Sequence, residues 1–129
     1  MATQGLDHIN LRAQRAMLDE LKNFYCQVIG LHEGFRPAFA GFGYWLYAQE
    51  SAIVHLYEAG PGEERQTGVA TTIDHFAFSC SNIAEFEARL QQLDIRYRKA
   101  QVPLINQVQL FMQDPAGNKL ELNFADTNA

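Results

Sequence analysis

Leu6-Asp7-His8-Ile9-Asn10-Leu11 and Ile73-Asp74-His75-Phe76-Ala77-Phe78 follow one pattern 67 positions apart. Each alternates, is rich in strand formers, and carries an Asp-His pair at the same place. A helical pattern follows each run. Leu18, Leu21, Tyr25 and Val28 recur at helix spacing in the first, and Gly30 can close that helix. Ile83, Phe86, Leu90 and Leu93 do the same in the second, where Asn82-Ile83-Ala84-Glu85 reads as a capping box.

Extended segments come after each helix. Tyr44–Ala48 with Ala52–Glu58, and Gln107–Gln113 with Asn118–Phe124, read as two hairpins; Asp114-Pro115-Ala116-Gly117 is the turn of the second. Laying Val54-His55-Leu56 over Leu120-Glu121-Leu122 requires a shift of 66, and the same shift brings Trp45 onto Phe111. Two separate anchor pairs therefore agree to within one residue, and internal duplication is the simplest account. The expected fold is α+β, with two tandem β-α-β-β-β modules. Module one is expected over about 5–59, a polar glycine-rich linker over about 60–70 and module two over about 71–125, all within a single domain of 1–129.

Strand alternation sorts the side chains by face. Val54 and Leu56 flank His55 on the opposite face; Leu120 and Leu122 do the same for Glu121, as do Phe76 for His75 and Ile9 for His8. Helices should cover the apolar faces. The polar faces would then bring three imidazoles and one carboxylate, two from each module, around one pseudo-twofold axis. His8, His55, His75 and Glu121 are therefore the expected ligands of one divalent ion, and such donors suit Zn, Ni, Fe, Mn or Co. Trp45, Tyr47, Tyr57 and Phe111 are expected to line the cleft, although aromatic residues there could equally be core filling. Phe35–Gly43 reads as a lid with apolar anchors, in which Arg36 is expected to be a solvated loop arginine. His32, just past the first helix, is given no role.

Composition narrows the partners. A formal net charge of -5 without a basic stripe excludes an ordinary nucleic-acid surface. No apolar run reaches the roughly 20 residues of a membrane span. Met1–Gly5 lacks a basic-then-apolar signal pattern, so a cytoplasmic location is expected, with Cys26 and Cys80 as free thiols.

The two Asp-His runs, Phe24-Tyr25-Cys26-Gln27-Val28-Ile29-Gly30-Leu31 and Asp114-Pro115-Ala116-Gly117-Asn118-Lys119-Leu120-Glu121-Leu122 together resemble the vicinal-oxygen-chelate superfamily. That superfamily includes glyoxalase I, bleomycin-resistance proteins and extradiol dioxygenases. The resemblance runs from about Leu6 to Phe124. It implies that the two modules form an open, U-shaped mixed sheet around a metal cleft, in a homodimer with sites at the subunit interface and a small substrate that chelates the ion through its oxygens. It further implies a metal-dependent lyase or isomerase working through a stabilised enediolate or oxyanion, with Glu121 as general base. By the same resemblance Arg12, four residues after His8, would grip a substrate carboxylate, and Asn10 would line the site. One departure stands out: His55 occupies the place of a glutamate in bacterial glyoxalase I, which removes a negative charge and a candidate base. Two alternatives remain. An Fe(II) extradiol dioxygenase would use two histidines and one carboxylate. A drug-sequestering protein of the bleomycin-resistance type would need no metal.

Overall fold

The structure, a computed structural model, describes residues 1–125 of the 129, so the end of the expected 1–129 span lies outside the described residues. The chain divides into two compact units, Met1–Gln66 and a second that begins at Thr67. Each is a four-stranded mixed sheet with one helix.

In the first unit the order is β1 (Ile9–Ala13), α1 (Arg15–Gln27), β2 (His32–Gly34), β3 (Gly43–Ala48) and β4 (Ser51–Glu58). The sheet runs β1-β4-β3-β2, with β1 parallel to β4 and the other pairs antiparallel. The second unit repeats this with β5 (Phe76–Cys80), α2 (Ile83–Gln92), β6 (Arg98–Val102), β7 (Gln107–Gln113) and β8 (Lys119–Phe124), ordered β5-β8-β7-β6. The expected β-α-β-β-β duplication is the observed architecture.

Helix periodicity places Leu18, Leu21 and Tyr25 on one face of α1, and all three are buried, as are Leu46, Val54 and Leu56 of β3 and β4. In the second unit Leu90, Leu110, Leu120, Leu122 and Phe124 are fully buried, and Phe86 of α2 meets Phe124 edge-on at 5.5 Å. The apolar face of each sheet is thus its core face, and the His/Glu face is the other.

Local details differ from expectation in three places. The first strand of each module starts three residues later than its pattern indicates, because Leu6 and Ile73 are exposed. His8 and His75 accordingly stand one residue ahead of β1 and β5, at the mouth of a strand. The Asn82 side chain does accept the Glu85 N–H, but Glu85 returns its bond to the Asn82 amide group instead of the Asn82 backbone, so the box is only half closed. The third concerns β2 and β6, edge strands that the duplicated pattern requires but no residue signal marks. Asp114 is a buried turn carboxylate that accepts from the backbone N–H of Ala116 and Asn118 and from the Asn118 amide. Gly117 follows at φ 86°, packed so closely on Gly68 that a side chain has no room. The second half of the linker segment is thereby tied to the β7–β8 turn.

Candidate metal centre

Cross-strand register sets one row of side chains in each unit. In the first sheet the row is Gly34, Trp45, His55 and Asn10; in the second it is Arg98, Phe111, Glu121 and Ala77. Directly paired residues share a face, so both rows lie on the His/Glu side.

The second unit brings His75 and Glu121 together, with Nε2 3.1 Å from Oε1. The other ring nitrogen, Nδ1, donates to Asp74 at 2.8 Å, which fixes the tautomer and turns Nε2 toward the carboxylate. Glu121 is buried, and its Oε2 accepts from the Gln109 and Asn123 amides at 3.2 and 3.1 Å. With Nδ1 carrying its proton, Nε2 would face Glu121 lone pair to lone pair unless a positive charge lies between them. A proton on Nε2 or a bound cation would supply that charge. The Asp74 hydrogen bond raises the His75 pKa most, burial opposes it, and the Glu121 hydrogen bond adds a smaller rise.

This geometry also fits an ion. Two ligand atoms about 2.1 Å from one metal and at right angles to each other are about 3.0 Å apart, close to the spacing seen. Gln109 and Asn123 would orient the carboxylate, and Asp74 the imidazole.

The first unit repeats half of this. His8 Nδ1 donates to Asp7 at 2.7 Å, as His75 does to Asp74. His55 is buried, donates from Nε2 to the Ala52 carbonyl at 3.1 Å, and is the middle ring of a stack. His8 lies 3.7 Å away on one side and Trp45 4.0 Å away on the other, both nearly parallel to it. Burial first, then His8, pushes the His55 pKa down. Stacked imidazoles hold their lone pairs in separate, nearly parallel planes, so ligation of one ion by both requires one ring to turn. Among the described residues no group of three or more His, Cys, Asp or Glu is already gathered around a metal position. The four expected ligands form two pairs, one in each unit.

The expected substrate residues divide in the same way. Asn10 pairs with His55 in register and is exposed, and Trp45 is in the stack. Tyr57 carries the Arg12 guanidinium 4.5 Å above its ring. Arg12 is already occupied: it forks onto Glu63 at 2.6 and 2.8 Å. Tyr47 turns to β2, where it stacks on His32, covers Gly34 and donates to the Phe35 carbonyl. Phe111 meets His75 edge-on at 5.8 Å. Arg36 is not a solvated loop residue, because its Nε and Nη2 are buried with no hydrogen-bond partner among the described residues, beside Phe39 and Tyr57.

Sequence reasoning passed over Asp7, Asp74, Gln109, Asn123 and Glu63. The Asp residues were legible in the repeated Asp-His pair. The others carried no local signal.

Residues 5–122 match the profile of the Glyoxalase/Bleomycin resistance protein/Dioxygenase superfamily. Glyoxylase I 4 of Arabidopsis thaliana is 31% identical over 128 residues, which cover 95% of this chain and 72% of that protein. A glyoxalase family protein from Bacillus anthracis superposes with a TM-score of 0.72 at 22% identity, covering 96% of this chain and 97% of its own. A fosfomycin resistance protein from Listeria monocytogenes, solved with Mn(II) and a dihydroxypropylphosphonic acid, does so at 0.63 with 17% identity, covering 98% and 96%. With the duplicated fold and the paired His/Glu faces already in place, the match over residues 5–122 means that the chain belongs to the Glyoxalase/Bleomycin resistance protein/Dioxygenase superfamily.

Proposed function

We propose that this chain is a metal-dependent lyase or isomerase of the glyoxalase type, acting on a small substrate that chelates one ion through two oxygens. The observation that carries the reading is the 3.1 Å approach of His75 Nε2 to Glu121 Oε1, with Asp74 behind the ring. His75 and Glu121 supply one half of the ligand set, and His8 and His55 the other. A divalent ion, when bound, supplies Lewis acidity to the substrate oxygens and charge for a developing oxyanion.

The protein's own residues do the rest. Gln109 and Asn123 hold Glu121 in one orientation. From there Glu121 takes a proton from the carbon beside the substrate carbonyl and returns it to the neighbouring carbon, so no net proton is consumed. Asp74 keeps His75 from rotating out of the site. Phe111, beside His75, shields the reacting group from water; Trp45, Asn10 and Tyr57 would line the half of the site that carries His55.

Each unit carries only half of the ligand set. This supports a homodimer in which His8 and His55 of one chain act with the partner's His75 and the partner's Glu121. The likeness to Glyoxylase I 4 supports hemithioacetals of 2-oxoaldehydes as the first substrates to assay.

The test is elemental analysis of untagged protein together with an isomerisation assay. About one divalent ion per chain is expected, with activity lost in Glu121→Gln and metal lost in His75→Ala while the fold persists. Stoichiometric metal in folded His75→Ala would contradict the site. Oxygen uptake with catechols would move the reading to a dioxygenase.

A further inference from the structure

The second unit has a feature that the first lacks. In the His/Glu row, the position opposite Trp45 is Gly34, whereas the position opposite Phe111 is Arg98. The Arg98 guanidinium lies over the Phe111 ring at 4.4 Å, and the edge of that ring region meets His75. A cavity of about 920 Å³ opens beside them, walled by Asp74, His75, Arg96, Arg98, Phe111 and Lys119, among others.

The charges in this wall are unbalanced. Lys119 reaches Asp74 at 3.8 Å. Among the described residues no carboxylate pairs with Arg96 or Arg98. Two unneutralised guanidiniums beside one cavity are unusual in a chain with a net charge of -5. Arg12, the arginine that the superfamily resemblance assigns to a substrate carboxylate, is by contrast already neutralised by Glu63.

We propose that Arg98, supported by Arg96, is the specificity residue of this chain, and that the cavity takes the carboxylate tail of an anionic substrate. Stacking on Phe111 holds one face of the guanidinium and leaves its N–H edge free for a two-point carboxylate contact. Arg98 stands two strands from Glu121, roughly 10 Å across the sheet. A substrate whose oxygens sit at His75 and Glu121 would thus run beside Phe111 and end at the Arg98 guanidinium stacked on it. This assignment of the tail rests on the metal reading above; the anion site itself does not.

The test separates the two. The ¹⁵N-labelled full chain is titrated with glutarate, a dicarboxylate without a chelating carbonyl, with and without bound zinc. Resonances of residues 95–98 and 111–113 should move in both states. Arg98→Met should weaken binding about tenfold or more, Arg98→Lys should lose less, and Arg96→Met should show a smaller loss than Arg98→Met. Neutral glutaramide should move nothing. Equal shifts with glutaramide, or unchanged glutarate affinity in Arg98→Met, would overturn the proposal. Both arginines are exposed, so the variants should keep the fold, and the amide spectrum checks this directly. Metal retention in His75→Ala would sink the metal reading and leave the glutarate result standing.

Discussion

Arg12 and Glu63 are 51 residues apart in sequence and share two parallel hydrogen bonds. The pair joins β1 to the segment that follows β4. Glu63 also takes Arg65 and the Gly60 N–H, and these contacts hold its carboxyl far below the usual carboxylate range, Arg12 contributing most. The geometry is the one a substrate carboxylate would adopt on Arg12. Glu63→Gln should therefore make Arg12 available and lower KM for carboxylate-bearing hemithioacetals severalfold, with kcat little changed. Arg12→Ala should remove that gain when combined with it. Steady-state kinetics of the two single variants and the double variant decide the matter, and additive effects would show that Arg12 and Glu63 do not compete for the same ligand.

Asp7 and Asp74 hold equivalent ring nitrogens at 2.7 and 2.8 Å. Neither is among the expected ligands. Each fixes which nitrogen of its histidine is free, and outer partners of this kind are worth roughly 10–100-fold in metal affinity. Asp7→Ala and Asp74→Ala should each weaken zinc binding within that range in a chelator competition. Because the duplication makes them equivalents, the two losses should be similar. A full-strength site in either variant would mean that the histidine beside it is not a ligand.

Trp45 is the only tryptophan of the chain and stacks 4.0 Å from His55. If His55 and His8 are to serve one ion, their parallel stack must open. Ni(II) should therefore quench or shift Trp45 emission in proportion to site occupancy, and His55→Ala should abolish the response. A titration in which metal binds by elemental analysis but the emission stays constant would place His55 outside the coordination sphere.

The extent to which all this was legible varies by element. The central strands could be read because buried rows such as Val54/Leu56 and Leu120/Leu122 alternate with polar residues, and both helices could be read from 3.6-residue spacing. The edge strands β2, with His-Glu-Gly, and β6, with Arg-Lys-Ala-Gln-Val, bury little and so carry no apolar pattern. Candidate ligands showed up because duplication repeats them. Glu63 and Arg98 did not, since one acts across 51 residues and the other breaks the repeat. His8 and His75 were placed within strands because the pattern starts at Leu6 and Ile73, yet those two side chains are exposed and pairing begins only afterwards.

Tyr44 gives a pH prediction independent of the metal. Its hydroxyl donates to Asp19 at 2.7 Å, and burial, followed by this bond, pushes its pKa up to about 12 from 10.0. A proton held more tightly in the folded than in the unfolded chain stabilises the fold below the unfolded pKa. That contribution is lost as pH rises from 10 toward about 12. Denaturation midpoints measured across this window should fall, and the slope should be shallower in Tyr44→Phe. Ultraviolet titration should show one tyrosine ionising late, and Asp19→Asn should bring it earlier.

Leu56 and Leu122 occupy equivalent buried positions, opposite Leu11 on β1 and Phe78 on β5. Truncating either to alanine leaves a cavity under its helix and should cost about 2–5 kcal/mol. What the pair reveals is how the units fold. Were residues 1–129 to fold as the single domain expected from length, Leu56→Ala and Leu122→Ala would each move one shared transition, and Trp45 emission would follow both equally. Independent units would behave otherwise: Trp45 reports only on the first unit, so Leu122→Ala would leave the emission midpoint in place while far-ultraviolet circular dichroism split into two steps. We expect the shared transition, because a unit of about 65 residues with one helix over four short strands has a small core and is marginal alone.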